Sequence, residues 1–124
     1  MIIGIGTDLC YIDRIRKAFD KSNFFRDNLF RPEEIEYCES KGEGRYESYA
    51  AMFAAREAFC KASGKSLEAV MYNDNFKLIH DTDGSPSIKL SGDLVIPSAK
   101  IFVSITHEKG YALAFVVIEK KEGE

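Results

Sequence analysis

The stretch that decides the fold is Tyr46-Glu47-Ser48-Tyr49-Ala50-Ala51-Met52-Phe53-Ala54-Ala55-Arg56-Glu57-Ala58-Phe59-Cys60-Lys61-Ala62-Ser63, followed by Gly64. Six alanines at Ala50, Ala51, Ala54, Ala55, Ala58 and Ala62 make it a strong helix former, and Gly64 supplies the C-terminal stop. Side chains this small on a long helix predict close packing against a sheet or a neighbouring subunit. The partner sheet is written around it. Met1 to Thr7 alternates as a strand, with Ile3, Ile5 and Thr7 on one side and Ile2, Gly4 and Gly6 on the other. Two glycines on one strand face predict that another backbone, a helix or a ligand comes close there.

Outside this pair of elements, Ile12, Ile15 and Phe19 recur at helical spacing, and Pro32-Glu33-Glu34 opens a second short helix. Strands are expected at Phe76–His80 and Ser87–Leu90 around an Asp-Thr-Asp-Gly turn. A closing hairpin, 101–106 and 111–119, turns at His107-Glu108-Lys109-Gly110. Helices early and hairpins late give an α+β class, an antiparallel sheet packed on one long helix. The 124 residues suit one domain, expected over 1–119, with a frayed tail over 120–124.

Composition excludes several classes. The longest unbroken apolar run, Tyr111 to Ile118, is far short of the ~20 residues of a membrane span, so no membrane partner is expected. Cys10, Cys38 and Cys60 are odd in number and widely spaced, which fits buried thiols in a reducing, cytoplasmic setting better than disulfides or zinc. The net charge is −3, yet Tyr11 to Arg31 holds six cations (Arg14, Arg16, Lys17, Lys21, Arg26, Arg31) against three aspartates. One basic segment on an acidic chain argues against nucleic acid and fits either a solvated helix face or a dock for one acidic partner.

Three glycine-rich stretches fail as phosphate loops. Gly4-Ile5-Gly6 meets Leu9 where the dinucleotide fingerprint needs glycine, and Gly42-Glu43-Gly44 meets Glu47. Gly64-Lys65-Ser66 follows its helix instead of preceding it.

Asp8 closes the first strand, Glu57 and Lys61 lie one turn apart on the long helix, and His107 sits at the hairpin tip. Singly, Asp8 serves as a helix cap, Glu57 and Lys61 as an i,i+4 ion pair, and His107 as a turn residue. Together they suit a diphosphate-bearing substrate: two carboxylates for a magnesium ion, with a lysine and a histidine for phosphate oxygens.

These residues lie inside three motifs, Gly4-Ile5-Gly6-Thr7-Asp8-Leu9, Phe53 to Ala62, and Val103-Ser104-Ile105-Thr106-His107. In this order and spacing the chain closely resembles the small bacterial holo-acyl-carrier-protein synthases, from about Met1 to Glu119. The resemblance implies the 4′-phosphopantetheinyl transferase fold and a homotrimer with active sites at subunit interfaces. It also implies transfer of phosphopantetheine from coenzyme A to a serine of apo-acyl carrier protein, for fatty acid biosynthesis, with release of adenosine 3′,5′-bisphosphate. Asp8 and Glu57 would bind Mg2+, Glu57 would deprotonate the serine directly or through a water, and Lys61 would offset charge on the leaving oxygen. His107, from the neighbouring protomer, would touch the phosphates, and Gly64 would lie beside the nucleotide. Arg14, with Arg16, Lys17 and Lys21, would meet the acidic carrier. The sequence departs from the family's pattern at Arg56, where lysine is usual, at Gly64-Lys65-Ser66, and at Asp20, Asn23 and Asp27, where some relatives carry arginine. The competing reading is a non-catalytic trimeric coenzyme A-binding protein on the same scaffold.

Overall fold

A computed structural model describes residues 1–121. The chain runs β1 (Ile2–Tyr11), α1 (Ile12–Lys21), α2 (Phe24–Leu29), α3 (Pro32–Glu39), α4 (Arg45–Ser63), α5 (Leu67–Met71), β2 (Phe76–His80), β3 (Pro86–Leu90), β4 (Ala99–Glu108) and β5 (Tyr111–Lys120). Two antiparallel sheets result, one of order β1-β5-β4 and the other the β2-β3 hairpin.

The expected packing of the alanine-rich helix on the sheet is what the structure shows. Helix α4 lies across β1 and β5 with all six of its alanines buried. The glycines of β1 are the reason it can. A β-carbon on Gly4 would overlap the carbonyl oxygen of Ala62, and one on Gly6 would overlap that of Ala58. Two strand residues advance ~6.8 Å and four helix residues ~6 Å, so α4 runs nearly along β1, its numbering descending as the strand's ascends. Gly64 ends the helix in the left-handed conformation (φ 75°), its N–H donating to the Cys60 carbonyl.

Several boundaries move. Strand β1 continues through Asp8 to Tyr11, because Asp8 and Cys10 extend the helix-facing row begun by Gly4 and Gly6, opposite Ala114 and Ala112 of β5. Strand β4 runs to Glu108, which places His107 inside the ladder, opposite Ala112. The hairpin turn shrinks to Lys109-Gly110, both at positive φ, as a two-residue turn requires. Lys120, read from sequence as tail, ends β5 and donates its N–H to the Met1 carbonyl, while the Lys121 N–H donates to Ser98. The rest of that expected tail lies outside the described residues.

Behind the helix, Arg56 is fully buried between the rings of Phe30 and Phe76 and pairs with the buried Glu34 at 2.5 Å. Glu34 also accepts from the N–H groups of Arg31 and Leu78, so one carboxylate ties α3, α4 and β2 together. A guanidinium supplies several donors in a plane that stacks between rings, which lysine cannot do. The far face of the three-stranded sheet is different. There Ile3, Ile5, Leu9, Tyr11, Phe102, Tyr111 and Phe115 are all exposed.

Candidate active site

The row logic of β1 and α4 carries the site. Gly4 sits under Ala62 and Gly6 under Ala58, so Asp8, the next residue of that row, meets the following turn of α4, where Glu57 stands. Asp8 is 9% exposed, and its Oδ2 is buried without a hydrogen-bond partner. Burial pushes the Glu57 carboxyl above its ordinary value, and the neighbouring Asp8 carboxylate adds to the shift. Two carboxylates held this close, one with an orphaned oxygen, favour either a shared proton or a bound cation.

Lys61 does not pair with Glu57. Its Nζ donates to the Thr7 carbonyl oxygen at 2.9 Å and stands 3.5 Å from Asp8 Oδ1. The ammonium is thus anchored to the strand edge beside the carboxylates, with its side chain 59% exposed and free to meet an anion. Nor does Asp8 cap α1, whose N-cap is Tyr11 and has no side-chain cap.

Asp8, Glu57 and Lys61 come together in one chain; His107 does not join them. Its Nδ1 lies 3.3 Å from Glu47 Oε2, in the first turn of α4, and Glu57 stands ten positions further along that helix, about 15 Å along the axis. The same histidine rims a cavity of about 200 Å³ whose other walls include Tyr37 and His80, stacked at 3.8 Å.

Arg14 reaches the site's border from α1. Its guanidinium lies 5.5 Å from the Phe53 ring, one helical turn before Glu57, and 3.9 Å from Cys10 Sγ. Arg16 and Lys17 both pair with Asp13. Lys21 is exposed at the end of α1, and among the described residues neither it nor Arg14 has a carboxylate within ion-pairing distance. Gly64 faces open space at the far end of α4. The sequence offered no signal for the Thr7 carbonyl as the lysine's anchor. Among the described residues no three histidine, cysteine or acidic side chains converge, so a metal held here would rest on two protein carboxylates and complete its shell from substrate and water.

Paired carboxylates with an adjoining ammonium, set along a strand and helix in close contact, have the chemistry to take a cation and an anionic group side by side. Residues 4–116 match the family model of the 4′-phosphopantetheinyl transferase superfamily, and the chain belongs to that superfamily. Within it the chain is similar to holo-[acyl-carrier-protein] synthases. One from Ruminiclostridium cellulolyticum is 38% identical over 92% of this chain and 90% of its own. Another from Thermodesulfovibrio yellowstonii is 39% identical over 95% of this chain and 99% of its own. The crystal structure of the Bacillus anthracis holo-(acyl-carrier-protein) synthase in complex with CoA (3′,5′-ADP) superposes with a TM-score of 0.82 at 32% identity, covering 98% of this chain and 99% of that one. The Helicobacter pylori synthase in complex with coenzyme A gives 0.79 at 28% identity over 93% and 99%.

Proposed function

We propose that this chain transfers the 4′-phosphopantetheine group of coenzyme A to a serine of apo-acyl carrier protein, giving holo-acyl carrier protein and adenosine 3′,5′-bisphosphate. The observation that carries this reading is the Asp8–Glu57 pair with Lys61 beside it, in a chain whose relatives are holo-[acyl-carrier-protein] synthases, two of them solved with coenzyme A or its nucleotide part.

Asp8 and Glu57 would hold a magnesium ion, and the orphaned, buried Asp8 Oδ2 fits that role. When bound, the ion neutralises diphosphate charge and withdraws electrons from the reacting phosphorus. The chain's own groups do the rest. Glu57, whose raised carboxyl is a better base than an ordinary glutamate, accepts the proton of the serine hydroxyl, directly or through one water. The serine oxygen forms its bond to the phosphorus that carries the pantetheine, and the bond from that phosphorus to the bridging oxygen breaks. Lys61 offsets the charge that gathers on the bridging oxygen as the bisphosphate leaves. Gly64 leaves room for the nucleotide past the end of α4.

His107 acts from a neighbouring protomer. Its separation from Glu57 within one chain and the exposed apolar face of the sheet both support a homotrimer whose sites straddle subunit contacts. Arg14, Arg16, Lys17 and Lys21 meet the acidic carrier. The reaction belongs in the cytoplasm, where three free cysteines stay reduced, and among the described residues no helix is long and apolar enough to cross a membrane.

Mass spectrometry of apo-acyl carrier protein after incubation with this chain, coenzyme A and magnesium tests the reading. A gain of the phosphopantetheine mass is expected. Coenzyme A binding without that gain would instead establish the non-catalytic binder.

A further inference from the structure

Phe24 and Phe25 are adjacent in sequence and opposite in fate. Phe25 packs inward against Phe19, Phe30 and Phe53, at ring separations of 5.8, 6.2 and 6.2 Å. Phe24 points out and is 72% exposed, more than any other large apolar side chain except that of Met1. The core makes no use of it. A single exposed apolar residue needs no explanation by itself, but the placement of this one does. It follows Lys21, Ser22 and Asn23, all exposed, three residues beyond the lysine that ends the cationic α1. Its neighbour Phe25 touches Phe53, Arg14 lies over the same Phe53 ring, and Glu57 is one turn further along α4. Arg14, which among the described residues makes no ion pair, thus stands beside the Phe53 ring one turn from Glu57, and Phe25 holds the start of α2, with the exposed Phe24 next to it, against that same ring.

Resting on the carrier reading above, we propose that Phe24 is the apolar anchor of the docking surface. It inserts between helices of the acidic carrier while Arg14 and Lys21 engage that partner's carboxylates. Charge complementarity identifies the occupant: this face is the basic segment of the chain, so an acidic partner is attracted to it, and the same face of a second copy, which a symmetric contact would bring against it, is repelled. The division of labour follows from the chemistry. Cations set encounter rate and respond to salt, whereas a buried aromatic ring sets dissociation and does not.

The test is steady-state kinetics on the full chain with apo-acyl carrier protein as the varied substrate, at low and high salt. Phe24→Ser is expected to lower kcat/KM for the carrier about tenfold or more, with the loss in KM, the same factor at both salts, and the KM for coenzyme A unmoved. Phe24→Leu recovers most of the loss. Lys21→Glu loses less at high salt than at low. A Phe24→Ser variant matching the wild type toward the carrier overturns the proposal. So does a change in its light-scattering mass without a change in carrier KM, which would make Phe24 a contact between copies. A wild-type chain that transfers nothing to any carrier overturns the function reading itself, an outcome distinct from both.

Discussion

Gly6 lies directly beneath the backbone carbonyl of Ala58, with no room for a β-carbon between strand and helix. Both elements are backbone at this point, so neither yields by turning a side chain. Gly6→Ala is expected to push α4 off β1, costing roughly 1–3 kcal/mol or more as overpacking does and separating Glu57 from Asp8. Thermal denaturation with a parallel transfer assay checks this. A variant of wild-type Tm and activity would show that the contact is slack.

The raised carboxyl of Glu57 has a signed consequence for stability. In the metal-free protein the folded state keeps a proton that the unfolded chain gives up between the ordinary glutamate pKa and the raised one. The native state therefore binds more protons in that window, and its stability falls as pH rises through it. Glu57→Gln removes the effect. With chelator present, its Tm is expected to equal or exceed that of the wild type at neutral pH, with a flatter slope on the acidic side. A wild-type Tm that climbs across the same window would reverse the sign.

How much of this was written in the sequence depends on the range of each interaction. The alanines of α4 and the glycine row of β1 are local patterns, and they gave the sheet-on-helix packing correctly. Asp8 was harder. An acid after a glycine-rich strand resembles a strand end, yet Cys10 continues the same buried row and the ladder runs to Tyr11. Lys61 is spaced to meet Glu57, but its long side chain finds a strand-edge carbonyl that no spacing rule announces. Helices α2 and α5 have six and five residues, too short to show a period, although Ser66 caps α5 by accepting from the Ala69 N–H. The Glu34–Arg56 pair spans 22 positions and hides two charges in the core, which local patterning cannot foresee.

Asp8 and Glu57 are expected to fail differently. Glu57→Gln deprives the serine of its base and the ion of a ligand, and loss of a base alone typically costs 10²–10⁴-fold. Asp8→Asn weakens ligation only. A magnesium titration with single-turnover rates should restore Asp8→Asn more fully than Glu57→Gln, because mass action refills a site and does not replace a base. Equal rescue would refute the division of roles.

For the cationic face, reversing Arg14 and Arg16 to glutamate should raise KM for the carrier and leave coenzyme A binding nearly unchanged. Among the described residues Arg14 makes no ion pair, and Arg16 surrenders a surface pair with Asp13 worth about 0.3–0.5 kcal/mol, so the fold should persist. The wild-type advantage should shrink as salt shortens the ~10 Å Debye length. A double variant with wild-type KM and salt response would leave these residues a solvated face.

His107 offers the sharpest test of assembly, because its place in the chain and its proposed role conflict unless two protomers share a site. Within one protomer it faces Glu47 at the start of α4, about 15 Å along the helix from Glu57. If each site takes Glu57 from one protomer and His107 from the next, Glu57→Gln and His107→Ala are each nearly inactive as homotrimers. Unfolded together and refolded as mixed trimers, they should regain activity. At equal amounts, about a quarter of the interfaces pair an intact Glu57 with an intact His107, so recovery should approach a quarter of the wild-type rate. Sites built from single chains predict none, since every chain then carries one lesion. Light scattering on the same samples supplies the control. Trimers that form without regaining activity would refute the shared site, and active monomers would refute the trimer itself.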